Sequence, residues 1–287
     1  IGNTSKLKTL EFFKKSLDFF TDFTKIKPKQ IVCDMHPQFE TTKYAEKISS
    51  DKNIPLKRIQ HHHTHIAAVA LEENLKDYIG ISCDGTGYGT DKGIWGGEIF
   101  DVNGNEFKRI GHLEEQVMIG ENSIVYPKKM LICVLSKFLS KQEIIDLHIY
   151  NKKDTKLLLN QIDQNYNLIR TTSTGRFLDA VAALLDICEK NTYEGRAPML
   201  LESFVNEEKS IDFEPVTLKT SKGIVLKTIP FFKFALNRLK KNSSVQEKKK
   251  LAKTAHIYLS KGLFKIAQQY NKRKYKGKKR IVFSGGV

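Results

Sequence analysis

The spacing of apolar residues changes along this chain, from helical periods to short β-branched runs and back. Residues 7–23 predict a helix, 30–34 a strand, 41–50 a helix and 56–60 a strand that feeds a histidine-rich segment. The apolar run Ile66, Ala67, Val69, Ala70, Leu71 then predicts a helix over 64–74. Residues 78–83, apolar and partly β-branched, predict a buried strand ending at Asp84, and further strands follow over 93–102 and 107–112. Alternation of this kind calls for a sheet with helices packed on it. From 123 to 209 the pattern is mainly helical, and Phe177, Val181, Leu184, Leu185 and Cys188 mark an amphipathic helix that Ser173 or Thr174 can cap. Residues 211–244, broken by Pro215, Pro230 and a Lys-Lys-Asn-Ser-Ser stretch, read as an irregular connection holding short strands and one helix. A strand over 280–283 enters Ser284-Gly285-Gly286. We expect an α/β chain of two subdomains, 1–115 and 116–287, with the boundary inside 108–123 and no internal repeat.

Composition narrows the class. A chain of 287 residues with 40% hydrophobic content can bury a sizeable core, and it has no apolar run near the roughly 18 residues of a membrane span. Cys33, Cys83, Cys133 and Cys188 are scattered without a C-x-x-C pair, so reduced, buried thiols and a cytoplasmic setting are expected. The net charge of +16 comes almost wholly from residues 236–280, which hold 16 Lys or Arg against one Glu. Such density fits either a solvated helix face or a phosphate-rich or acidic partner. The basic residues punctuate an apolar helical pattern, Leu251, Ala255, Tyr258, Leu259, Leu263, Ile266, Ala267, and no regular aromatic interleaving offers a stacking platform. A solvated face is therefore favoured, and nucleic acid is not the expected partner.

Candidate chemistry concentrates in two neighbouring segments. Gln60-His61-His62-His63-Thr64-His65 holds four of the eight histidines, and Asp84-Gly85-Thr86-Gly87-Tyr88-Gly89 follows the next expected strand. His61 and His65, four apart on one helical face, can grip a divalent cation, with Asp84 as a third ligand. Two imidazoles and a carboxylate suit zinc, iron or magnesium. The bland alternative is a histidine cluster that caps a helix or lines a polar surface. In the loop, Gly85 and Gly87 let backbone N–H groups approach an anion while Thr86 offers a hydroxyl. A tight β-hairpin into the next strand is the competing explanation, and both can hold at once.

These segments and others, in order, resemble the HypF carbamoyltransferase family. The motifs are Asp34-Met35-His36-Pro37, Thr42-Lys43-Tyr44-Ala45, Gln60 to His65, Asp84 to Gly89, Ile94-Trp95-Gly96-Gly97-Glu98, Thr172 to Val181, Tyr193-Glu194-Gly195-Arg196-Ala197 and Ser284-Gly285-Gly286-Val287. The resemblance implies an actin-like ATPase (ASKHA, RNase H-like) fold, truncated at both ends. It implies a metal held by His61, His65 and Asp84, with His62 and His63 supporting the ligands, facing substrate or serving only structure. It also implies a nucleoside contact at Asp179, a ribose contact at Gly195 and close nucleotide approach at Gly285 and Gly286. An exposed or capping charge and a plain turn are the alternatives for the first two. The implied reaction uses carbamoyl phosphate and ATP, passes through carbamoyl adenylate, and delivers the carbamoyl group to the C-terminal cysteine of the partner HypE. That step serves cyanide-ligand synthesis in nickel-iron hydrogenase maturation. No catalytic nucleophile is expected from this chain. Two rival functions are a tRNA threonylcarbamoyl transferase-like enzyme and a non-catalytic nucleotide-binding or partner-docking module.

Overall fold

The structure is a computed structural model that describes residues 2–205 and 208–287. Ile1 and residues 206–207, the latter inside the span expected to be mainly helical, lie outside the described residues.

The chain opens with helix α1 (Leu7–Thr24), strand β1 (Ile31–Asp34), helix α2 (Glu40–Lys52), strand β2 (Leu56–Ile59) and the histidine helix α3 (His61–Glu72). β1 and β2 pair in parallel, Asp34 opposite Ile59, so their carboxyl ends lie side by side. α3 begins at His61 rather than at residue 64, because Gln60 caps it: the Gln60 side chain accepts from the His63 N–H at 3.1 Å. The capping bond outweighs the low helix propensity of consecutive histidines.

A larger sheet follows, built from β3 (Asp77–Tyr88), β4 (Ile94–Asn103), β5 (Glu106–Leu113), β6 (Gln116–Ile119), β7 (Leu168–Thr171), β8 (Thr217–Thr220), β9 (Gly223–Leu226) and β10 (Arg280–Ser284). Its main path runs β10-β3-β4-β5-β9-β8, with β6 and β7 attached to β4 through Ile94 and Thr171. The strand expected to end at Asp84 continues to Tyr88, and its pairing with β4 slips between Cys83 and Gly87. Phosphate-loop and hairpin readings therefore describe the same residues: Asp84, Gly85 and Thr86 form a bulge within a hairpin.

The helices of the second half are α4 (Asn122–Val125), α5 (Pro127–Leu135), α6 (Lys141–Asp146), α7 (Lys152–Asp163), α8 (Thr174–Leu184), α9 (Arg196–Val205), α10 (Ile229–Lys241) and α11 (Val245–Tyr275). The larger core lies between one sheet face, carrying Ile79, Ile81 and Ile99, and α5, α8, α10 and α11. The opposite face packs Tyr78, Phe100 and Val102 against Ile66 and Ala70 of α3. α8 departs from expectation. Every residue from Thr174 to Ala183 is buried, so the helix is enclosed on all sides rather than amphipathic. α11 keeps the expected division, with Leu251, Tyr258, Leu263 and Ile266 buried and Lys261, Lys272 and Arg273 exposed. No helix among the described residues is long and apolar enough to cross a membrane.

One buried charge ties the end of α11 to β4. Asp101 is fully buried and accepts from Tyr270 at 2.9 Å, Lys274 at 2.8 Å, Tyr275 at 2.8 Å and Lys279 at 2.7 Å. Burial opposes its charge, but hydrogen bonds from the two lysines and two tyrosines outweigh that cost and hold the carboxyl down at about 2. Asp101→Asn, measured by urea unfolding, should cost about 3 kcal/mol, because Lys279 is left buried without its counter-charge. The folded-state value lies below the unfolded one, so this stabilisation is complete above about pH 4 and is lost as pH falls toward about 2.

Candidate metal and nucleotide site

The site begins where β1 and β2 end. Because their carboxyl ends are adjacent, Asp34 reaches the first residue of α3, and its Oδ2 lies 2.9 Å from His61 Nδ1. Nδ1 as donor leaves the lone pair of His61 Nε2 directed away from Asp34. That nitrogen lies 3.2 Å from His65 Nε2 and 3.1 Å from Asp84 Oδ2, and His65 Nε2 is 3.9 Å from the same oxygen. The three ligand atoms fall within 4.8 Å of one another.

Three electron-rich atoms converging on one point fit a cation. Ligands of a tetrahedral ion with bonds of about 2.05 Å lie about 3.3 Å apart, close to two of the three separations. Asp84 Oδ2 is buried without a well-directed donor among the described residues, as a ligand oxygen awaiting an ion would be. Electrostatics agree. Asp34, then Asp84, raise the His61 pKa to about 9 against the effect of burial, so this pair of carboxylates favours positive charge at the imidazole. Burial works against ionisation of Asp84, yet His61 and the Gly85 N–H hold its pKa at about 2. His62 and His63 behave differently, each lowered to about 4 by burial. The His63 ring stacks on Phe107 at 4.2 Å, on the other side of α3.

The Asp84–Thr86 bulge is gripped from the second half of the chain. Ser173, the N-cap of α8, donates to the Asp84 carbonyl at 3.1 Å and the Gly85 carbonyl at 2.6 Å. Its oxygen also accepts from the Arg176 N–H at 3.1 Å. Thr174 donates to Gly96 at 2.8 Å and Asp84 at 3.2 Å, both backbone carbonyls. A Cβ on Gly175 would lie 2.9 Å from the Gly85 Cα, so glycine permits this contact. The amino end of α8, where helix N–H groups favour anions, thus faces the bulge.

A cavity of about 600 Å³ opens beside it, within the range of about 300–1,000 Å³ typical of small-ligand sites. Asp84, Gly85, Thr86, Gly195 and Gly286 line it, which brings Asp84 together with four of the seven residues expected to contact the nucleotide. Asp84 belongs to both the cavity wall and the His61–His65 cluster. Gly285 supports the wall from behind: its φ is +140°, and a Cβ there would lie 1.7 Å from the Cys83 carbonyl oxygen. Gly87 is not on the wall and packs against the His62 ring.

Asp179 also lies off the wall, fully buried, 2.7 Å from Arg176 Nε and accepting from Asn191 Nδ2 at 3.1 Å. It meets the cavity through Arg176, which lines it. Sequence reasoning missed Asp34, although the Asp-Met-His-Pro motif at a strand end was the available signal. It also missed Glu202, Lys253 and His256 on the cavity wall, which α9 and α11 bring together without any local signature.

A mixed α/β fold with a curled sheet, carrying this cluster at its strand ends, defines an actin-like (ASKHA) domain. Residues 1–72 match the family described as "HypF Kae1-like domain", and residues 80–287 match "Carbamoyltransferase, Kae1-like Domain, second subdomain". The "Probable carbamoyltransferase HypF" of Methanocaldococcus jannaschii is 37% identical over 100% of this chain, which spans 37% of that protein's length. The crystal structure of T. kodakarensis HypF superposes with a TM-score of 0.88 at 31% identity, covering 100% of this chain and 38% of that one. A full-length HypF in a phosphate- and nucleotide-bound form gives 0.87 at 27% identity, covering 98% and 43%. The chain belongs to the HypF family of carbamoyltransferases.

Thr174→Val keeps the shape of this side chain but removes its hydroxyl from the bulge. The variant should lose about 1–2 kcal/mol in urea unfolding, the cost of leaving buried carbonyls unsatisfied.

Proposed function

We propose that this chain binds ATP or carbamoyl adenylate in the cavity beside the bulge, with a divalent metal held by His61, His65 and Asp84. On this reading it supports transfer of a carbamoyl group to the C-terminal cysteine of a HypE-type acceptor. The observation that carries the reading is the sharing of Asp84 between the metal-ligand cluster and the cavity wall. The phosphate- and nucleotide-bound form of a HypF neighbour supports it.

When bound, a zinc, iron or magnesium ion would neutralise phosphate charge. The residues of the chain do the rest. Free N–H groups at the amino end of α8 orient the phosphate, with Thr86 beside it and Arg176 adding positive charge to the wall. Gly195, Gly285 and Gly286 leave room for the nucleoside, and Asp179 holds Arg176 in place. Carbamoyl phosphate and ATP supply the adenylate, the acceptor thiolate attacks the carbamoyl carbon, and AMP departs. Burial raises the pKa of all four thiols, to about 12 for Cys83 and Cys133, which supports a nucleophile that comes from the partner. Within this proposal residues 1–115 supply the metal ligands and the Thr86 side of the phosphate site, and 116–287 supply the α8 end, Arg176 and the nucleoside contacts. The large sheet joins strands from both sides of residue 115, so the division is functional rather than a break in the sheet.

Calorimetric titration with ATP, with and without zinc, iron or magnesium, tests the reading. Metal-dependent binding is expected in the wild type, and His61→Ala/His65→Ala should lose metal retention while remaining folded. Absence of nucleotide binding to the folded chain in every metal would overturn the proposal. Binding without carbamoyl transfer to a HypE cysteine would instead favour a docking module.

A further inference from the structure

His62 stands between the two candidate metal ligands in sequence, yet its surroundings give it another role. The ring is fully buried, and its Nδ1 lies 2.8 Å from Gln60 Nε2. The orientation of the Gln60 amide is set independently. Its oxygen accepts the His63 N–H at 3.1 Å as the cap of α3, and its nitrogen donates to the Tyr88 carbonyl at 3.1 Å. An amide nitrogen can only donate, so His62 Nδ1 accepts and the ring proton of the neutral imidazole resides on Nε2.

That Nε2–H has no partner among the described residues, and Asp84 Oδ2, 3.8 Å away, has no well-directed donor although His61 Nε2 lies 3.1 Å from it. Two buried polar atoms of opposite hydrogen-bonding character thus face each other across a gap about 1 Å too long for a bond. A small turn of the Asp84 carboxylate, whose terminal torsion is soft, would close it. The proton on Nε2 also removes the lone pair that a metal would need, which separates His62 from His61 and His65. Their Nε2 atoms converge on the metal-ligand cluster, whereas His62 lies outside it.

We propose that His62 is a positioning residue for Asp84. Locked by Gln60 as an Nε2 donor, it hydrogen-bonds the carboxylate and holds it turned toward the cation between His61 and His65. The inference rests on the metal reading above. Hydrogen bonds to a ligating carboxylate are worth about 10–100-fold in metal affinity. Gln60 thereby links three tasks in one side chain: it caps α3, ties the helix to the hairpin at Tyr88, and selects the His62 tautomer.

The test compares wild type, His62→Leu and His62→Gln, the last retaining an amide donor near the place of Nε2. Zinc affinity is read by calorimetry, stability by urea unfolding and the wild-type tautomer by the nitrogen-15 shifts of the imidazole. The expected results are an Nε2–H tautomer, a roughly 10–100-fold loss of zinc affinity in His62→Leu, and affinity within several-fold of wild type in His62→Gln. An Nδ1–H tautomer overturns the proposal, as does a stable His62→Leu protein that binds zinc as tightly as wild type. If His62→Leu fails to fold, a folded His62→Gln that loses as much affinity as His61→Ala overturns it as well. Should wild type bind no metal, the metal reading fails instead. The His62–Asp84 contact is then decided by whether Asp84→Asn shifts the His62 Nε2 signal.

Discussion

The site depends on one slip of register in a hairpin. Between Cys83 and Gly87 the pairing of β3 with β4 is interrupted, and the residues released from the ladder turn out of the sheet. Left alone, their carbonyls would be unsatisfied inside the protein. Ser173 and Thr174 satisfy them, which is why the amino end of a fully enclosed helix must sit against this bulge. The same bulge presents Asp84 to α3 on one side and opens onto the cavity on the other. The segment expected as a glycine-rich anion loop or a tight hairpin therefore organises the candidate ligand cluster, the amino end of α8 and the cavity.

Buried charge is placed around this constraint with consistent pairing. Glu98, fully buried on β4, accepts from Arg109 Nε at 2.5 Å and from Thr172, the residue before the cap of α8. Asp101, three residues along β4, receives the end of α11. Asp179 is paired with Arg176 beneath the cavity. In the cluster of Asp34, His61, His65 and Asp84 two carboxylates face two imidazoles, and Asp84 Oδ2 has no well-directed donor among the described residues, a donor set that suits a cation.

Much of this was legible in one dimension. Helical spacing placed His61 and His65 on one face, a glycine-rich segment after a β-branched run marked the place of the bulge, and the ordered motifs indicated the actin-like fold. Short-range rules suffice there, since a helix repeats every 3.6 residues and a strand every two. The errors were also local in origin. The start of α3 was placed three residues late because the apolar run begins only at Ile66 and carries no trace of the Gln60 cap. α8 was expected to be amphipathic from the spacing of Phe177, Val181, Leu184, Leu185 and Cys188, whereas Arg176 and Asp179 pair with each other in the interior and leave the helix no polar outer face.

By itself the sequence determined the elements, the α/β class, the family and the chemical types of the candidate ligands, all of which follow from periodicity, composition and motif. Tertiary structure alone decided which of the four histidines join Asp84 in the candidate ligand cluster and which lie outside it. It also put Asp34 beside His61, brought Lys253 and Glu202 to one cavity, and withdrew Asp179 from its wall. The physical reason is that these outcomes depend on distances between residues far apart in the chain. A ring is a ligand or a donor according to what lies within about 3 Å of each nitrogen, and that is set by the packing of α3, β3 and α8 on one another.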